Sequence, residues 1–125
     1  MKSLSRGDQI WNRAALEAGG AEPRDGDKAL AALLLLHGMV MNGGVDHAAE
    51  VLSSEEFESA LEGFLYFGFD ALARLLESAN GPITETEVEQ LNTKYAAAVP
   101  NDGTLVHAFH VKLLAAPESF APVGT

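Results

Sequence analysis

Apolar residues recur along this chain at three- and four-residue intervals, and no segment sustains the apolar–polar alternation of a strand. The densest stretch runs from Leu30 to Leu76. It opens with the run Ala29 to Leu36, passes through His37 to Met41, meets the break Asn42-Gly43-Gly44 and resumes as further periodic segments. The rest of the chain is placed to cover this core.

The pattern predicts a helix from about Lys28 to Met41, capped by Asp25 or Asp27. Leu30, Leu33, Leu34, His37 and Met41 share one side of it, and Leu35, Leu36 and Val40 fill the other. A helix apolar nearly all round is a buried central helix. A buried strand fails on length and on the alanine and leucine content. Asn42, Gly43 and Gly44 tolerate positive φ, so they predict a helix stop and a tight turn. A short helix, Val45 to Leu52, follows with Ala48, Ala49 and Leu52 inward and Asp46 in its first turn.

Ser53 and Glu56 form a capping box, opening a helix from about Ser54 to Phe67. Its inner face is Phe57, Ala60, Leu61, Phe64 and Leu65, and Gly68 ends it. Asp70 opens the next helix, to about Ala79, with Leu72, Leu75 and Leu76 apolar, closed by Asn80-Gly81-Pro82. Ile83 to Val99 forms another, started by Thr84 with Glu87 or by Thr86 with Glu89; Val88, Leu91, Tyr95 and Ala98 face inward. After the turn Pro100 to Gly103, a last helix spans about Thr104 to Ala115, burying Leu105, Ala108, Phe109 and Leu113. Before all of these, Gly7 to Ala18 carries Ile10, Trp11, Ala14, Ala15 and Leu16 at helical spacing, capped by Asp8 and ended by Gly19-Gly20. Trp11 reads as a core or lid residue. The expectation is a single all-α domain over residues 1–125, six or seven helices around a central one. Residues 1–6 and 121–125 are expected to be loose, with Phe120 tucked back as a last core residue.

Composition narrows the picture. A chain of 125 residues suits one domain, and 47% hydrophobic residues suffice for a packed core. Without cysteine there is neither a disulfide nor a thiolate metal site, which fits an intracellular, cytoplasmic protein. Lys2 and Arg6 are not followed by an apolar segment, so no signal peptide is expected at the start, and the run Ala29 to Leu36 is expected to be too short to span a bilayer. Charge changes the picture most. Eighteen acids face eight Lys and Arg, giving −10 at pH 7. Such a field repels nucleic acid and anionic membrane and attracts basic partners; it also serves plain solubility.

Candidate chemistry is sparse. His47 with Glu50, and His107 with His110, are each three residues apart on a helix, and facing pairs of this kind hold metals in helical bundles. Only one pair has a carboxylate, in the reverse of the usual order. No nucleophile motif surrounds any serine. Gly43-Gly44 precedes a helix, but Asp46 would repel a phosphate there. The acids remain. Glu55, Glu58 and Glu62 run along one face of the Phe57 helix over about 10 Å, and Glu85 with Glu89 makes a shorter stripe. Glu55 and Glu85 also lie in first turns, where they serve the helix dipole.

Asn42-Gly43-Gly44-Val45, then Phe57, Ala60, Phe67-Gly68-Phe69, Ala71 and Leu75-Leu76, resemble a family of small all-helical bacterial proteins. Leu91, Tyr95, Leu105 and the ending Pro117 to Phe120 extend the resemblance from about Trp11 to Phe120. The family is a domain of unknown function whose described member is a dimeric DNA mimic, covering the DNA-binding surface of a transcription factor. Val45 stands here where the family has an aromatic residue. The resemblance implies a helical, non-enzymatic domain without cofactor. It implies a basic protein partner, such as a DNA-binding regulator, no direct nucleic-acid contact and a homodimer. Glu55, Glu58, Glu62, Glu85 and Glu89 would form the binding face and Asn42, Gly43 and Gly44 a structural turn. An immunity or antitoxin-type protein using a similar face is a second reading. A metal-dependent enzyme using His47, Glu50, His107 and His110 is a third.

Overall fold

In the computed structural model, which describes residues 5–79 and 81–123, the helical periodicity becomes six α-helices. They are α1 (Arg6–Glu17), α2 (Asp25–Val51), α3 (Ser54–Tyr66), α4 (Asp70–Glu77), α5 (Glu85–Ala98) and α6 (Asp102–Ala115). A 3-10 turn, Pro117–Ser119, follows, and no strand occurs among the described residues. The fold is all-α, as the spacing predicts.

The hydroxyl caps act where the sequence offers them. Ser53 Oγ accepts from the Glu56 N–H at 3.1 Å while Glu56 accepts from the Ser53 N–H at 2.9 Å. Thr84 and Glu87 do the same for α5, so the first of the two alternatives there is the one used. At α1 the expected cap is wrong by three residues. Ser5 caps the helix, accepting from the Asp8 N–H at 3.1 Å, and α1 starts at Arg6 inside the stretch expected to be loose. Met1 to Leu4, Asn80 of the Asn80-Gly81-Pro82 stop, and Gly124-Thr125 lie outside the described residues.

The central element breaks where the pattern predicts. Its helix runs through Asn42 and Gly43, Gly44 leaves helical geometry at φ 92° and ψ 175°, and a second helix follows to Val51. The expected break is narrowed to the one residue Gly44, and the two helices meet there at a kink within α2. A kink strips the following N–H of its helical acceptor, and here the Val45 N–H donates instead to Asn92 Oδ1 of α5 at 2.8 Å. A Cβ at residue 44 would strain the positive φ and press on Asp46 and on the Asn92 amide. Asp27 does not cap α2 from outside. It is the third helical residue and its Oδ2 accepts from the Arg24 N–H at 3.0 Å. At 27 residues, α2 is long and apolar enough to cross a membrane by length and composition, contrary to the expectation from the shorter run. Its kink and its packing against α1, α3 and α5 are those of a bundle's central helix.

The most extensive packing is α2 on α3. Leu30, Leu33 and Leu36 meet the row Phe57, Ala60 and Phe64, and all six are almost fully buried. Gly63 lets the helices approach so closely that a Cβ there would overlap the Ala29 carbonyl oxygen. Leu72 and Leu76 of α4, Leu91 and Tyr95 of α5, and Leu105 and Phe109 of α6 complete the core with Ile10 of α1. Not every periodic residue is buried. Leu16 is 81% exposed, Met41 63%, and Leu35 and Leu65 are also exposed. Ala98 is likewise exposed and Val88 half-buried.

Residues 121–123, expected to be loose, are tied down. Asp27 is completely buried and its carboxylate accepts from Arg13 at 2.8 Å and from the Ala121 N–H at 2.7 Å. Arg13 also donates to the carbonyls of Ala121 and Pro122, Arg24 to that of Glu118, and Arg6 to that of Pro117. Phe120 is fully buried, against Phe67, Phe109 and the Cα of Gly26. The arginines hold backbone carbonyls, which carry no side-chain signature, so the sequence pattern gave no hint of the strap.

Candidate functional site

The predicted acidic residues all reach the surface. Glu55, Glu58 and Glu62 of α3 and Glu85 and Glu89 of α5 are exposed, and among the described residues none of them forms a salt bridge. Glu55 and Glu85 sit in first turns, as expected. Glu58 and Glu62 lie beyond the first turn of α3, a helix with no Lys or Arg. The span free of Lys and Arg extends further than the candidate stripe. From Ala29 to Ala73 the chain has no Lys or Arg, yet it carries Asp46, Glu50, Glu55, Glu56, Glu58, Glu62 and Asp70, all exposed. Lys112 of α6 reaches the end of α3, its Nζ 4.4 Å from the Tyr66 ring, and three other cations are engaged elsewhere. Arg6, Arg13 and Arg24 grip the C-terminal strap at the other elements, α1 and the start of α2.

The candidate metal ligands are not brought together. Among the described residues no group of three or more His, Cys, Asp or Glu could hold a metal ion. His47 packs beside Gly43 within α2, Glu50 is exposed on α2, and His110 lies against Gly7 of α1. His107 is exposed on α6. The pairs share helices but do not form a common metal-holding group.

The structure assembles a polar cluster that sequence reasoning missed. His37, 6% exposed on α2, lies between Tyr95 of α5 and Asp102 of α6. Its Nε2 is 2.9 Å from Asp102 Oδ1 and its Nδ1 is 2.7 Å from the Tyr95 hydroxyl. A carboxylate only accepts, so Nε2 donates to Asp102 Oδ1; in the tautomer with its proton there, Nδ1 is the acceptor for the Tyr95 O–H. Burial, reinforced by the charge of Asp102, pushes the Tyr95 phenol well above its ordinary value. The order carboxylate–imidazole–hydroxyl is that of a nucleophile triad. Here the hydroxyl is buried, 2% exposed, and held protonated, so the cluster ties α2, α5 and α6 together. The available signal was a histidine and a tyrosine both on apolar helix faces; Asp102 gave none, since it reads as a turn residue.

Asp102 and His37 also border a groove of about 870 Å³ between α1 and α2. Its α2 wall is the stripe Ala31, Leu34, Leu35, Gly38, Met39 and Asn42, and its α1 wall includes Trp11, Ala14, Ala15 and Ala18. Trp11 is half-buried, its ring 5.7 Å from Phe109. Small residues set the groove's depth and the larger ones its rim.

Fold and surface together define a class: a small all-helical domain with an unpaired acidic face and no assembled metal site among the described residues. Residues 21–112 match the family model of the DMP19-like protein, and the chain belongs to that family. The match spans α2 to α5 and most of α6; α1 and the C-terminal strap lie outside it. No match was found among curated proteins or among solved structures.

Proposed function

We propose that this protein is a non-catalytic interaction domain whose α3 carboxylate face binds a basic surface on another protein. A DNA-binding regulator is the specific case, with the acidic face standing in for the phosphate backbone. The observation that carries this reading is the unbroken absence of cations from Ala29 to Ala73 beside exposed, unpaired Glu55, Glu58 and Glu62. Charges along a helix face at i, i+3 and i+7 span about 10 Å, enough to engage several cations of one surface. Glu85 and Glu89, exposed on α5, are a second, shorter set of carboxylates in this reading.

Such an interface draws its rate and much of its specificity from electrostatics, so salt weakens it. The test is capture of partners on the immobilised protein at low and raised ionic strength, with wild type beside Glu58→Gln/Glu62→Gln. The reading expects a partner lost at raised salt and bound several-fold more weakly by the double variant. Retention indifferent to both sinks it. Adding duplex DNA then separates the specific case: a captured regulator whose DNA site is covered must be released by DNA, whereas a partner held elsewhere stays bound.

A further inference from the structure

We infer that the groove between α1 and α2 receives an amphipathic helical segment of a partner protein, anchored by apolar side chains and by one Lys or Arg that pairs with Asp102. This inference uses a different surface from the acidic face and stands without it. The dimensions come first. The α2 wall runs from Ala31 to Asn42, so the groove is ~16 Å long, about three turns of helix. A docked helix reads such a trough with residues at i, i+3, i+4 and i+7. The floor is open at its middle: a Cβ built on Gly38 meets nothing within 4 Å, although Gly38 lies inside a helix and lines the groove. The rim is apolar and unfilled, with Leu35 and Leu16 exposed and Trp11 half-covered.

Charge decides the polarity of the occupant. Asp102 is the single Asp, Glu, Lys or Arg lining this groove, and its side chain is 74% exposed while one oxygen holds His37. The remaining oxygen is free to take a cation. Since His37 lies beside Asp102, the cation of the occupant lies near the middle of the groove's length. The Trp11 ring adds an aromatic surface at the rim. A chain of net charge −10 favours the same sign of partner.

The experiment is panning the full-length protein against a displayed library of helical peptides of about 12 residues, apolar at i, i+3, i+4 and i+7 and random elsewhere. The expected winners carry Lys or Arg next to the apolar stripe. Their synthetic forms should lose at least about tenfold in affinity on Gly38→Phe, which fills the floor, and keep it on Gly38→Ala, which is too small to do so. Asp102→Asn, which keeps an oxygen for His37, should abolish the preference for Lys over Gln in the peptide. Glu58→Gln/Glu62→Gln should leave binding unchanged. Three results overturn the inference: no enrichment, winners that bind Gly38→Phe as well as wild type, or winners lost on the α3 variant instead, which would credit the acidic face. A wild-type dimer in sedimentation that dissociates on Gly38→Phe also overturns it, since the occupant would then be a second copy of this chain.

Discussion

Two glycines inside helices, Gly63 and Gly38, should respond to alanine with opposite signs. Intrinsic propensity treats them alike, since Gly→Ala within a helix stabilises by about 1 kcal/mol. Packing separates them. At Gly63 the new methyl would overlap the Ala29 carbonyl oxygen and lie 3.3 Å from the Leu33 nitrogen. Both are backbone atoms of α2, fixed by helical hydrogen bonds, so no rotamer change relieves the clash and α3 must move. That movement loosens Phe57, Ala60 and Phe64 against Leu30 and Leu33. Overpacking costs about 1–3 kcal/mol, and with backbone on the receiving side the upper part of that range applies. Less the propensity gain, Gly63→Ala should destabilise by about 1–2 kcal/mol. For 125 residues each kcal/mol moves Tm by about 4 °C, so a fall of about 4–8 °C is expected. Gly38→Ala meets nothing within 4 Å and should raise Tm by about 2–4 °C. Thermal and urea unfolding followed by far-UV circular dichroism measure both. If Gly63→Ala melts at or above wild type, the close α2–α3 approach is not a feature of the folded protein and the reasoning fails.

Phe120→Ala should cost about 3–5 kcal/mol in urea unfolding, because a fully buried ring is removed from between Phe67 and Phe109. A silent substitution would return the C-terminal segment to a loose tail. Tyr95 should resist ionisation in an alkaline spectrophotometric titration, since its phenol is held above the ordinary value by burial first and Asp102 second. The raised group is protonated in the native state when the unfolded chain has begun to lose the proton, so stability should be unaffected by it below about pH 10 and fall above it. Tyr95→Phe should remove that part of the alkaline slope, and an unchanged slope would refute the assignment.

The helix starts at Ser53 and Thr84 were legible because both partners of a capping box are local in sequence, although Thr86 with Glu89 offers the same spacing and is not used. Helix ends were less so. Gly44 was marked by composition as a break, but how the two helices meet there was not, since the stranded N–H of Val45 is taken by Asn92, 47 residues further on. The acidic stripe on α3 was readable because exposure follows from periodicity. The His37 cluster was not, since its three members come from three helices whose relative placement no spacing encodes.

The sequence by itself determined that the chain is all-helical, where most helices lie, and that Glu55, Glu58 and Glu62 face solvent. These follow from contacts within four residues, which a repeating pattern specifies. Only the tertiary structure decided that His47, Glu50, His107 and His110 stay apart, that Asp27 and three arginines bind the C-terminal segment, and that α1 leaves a groove open on α2. Those outcomes rest on backbone carbonyls, helix separations and incomplete coverage. None of these is carried by the identity of any one residue.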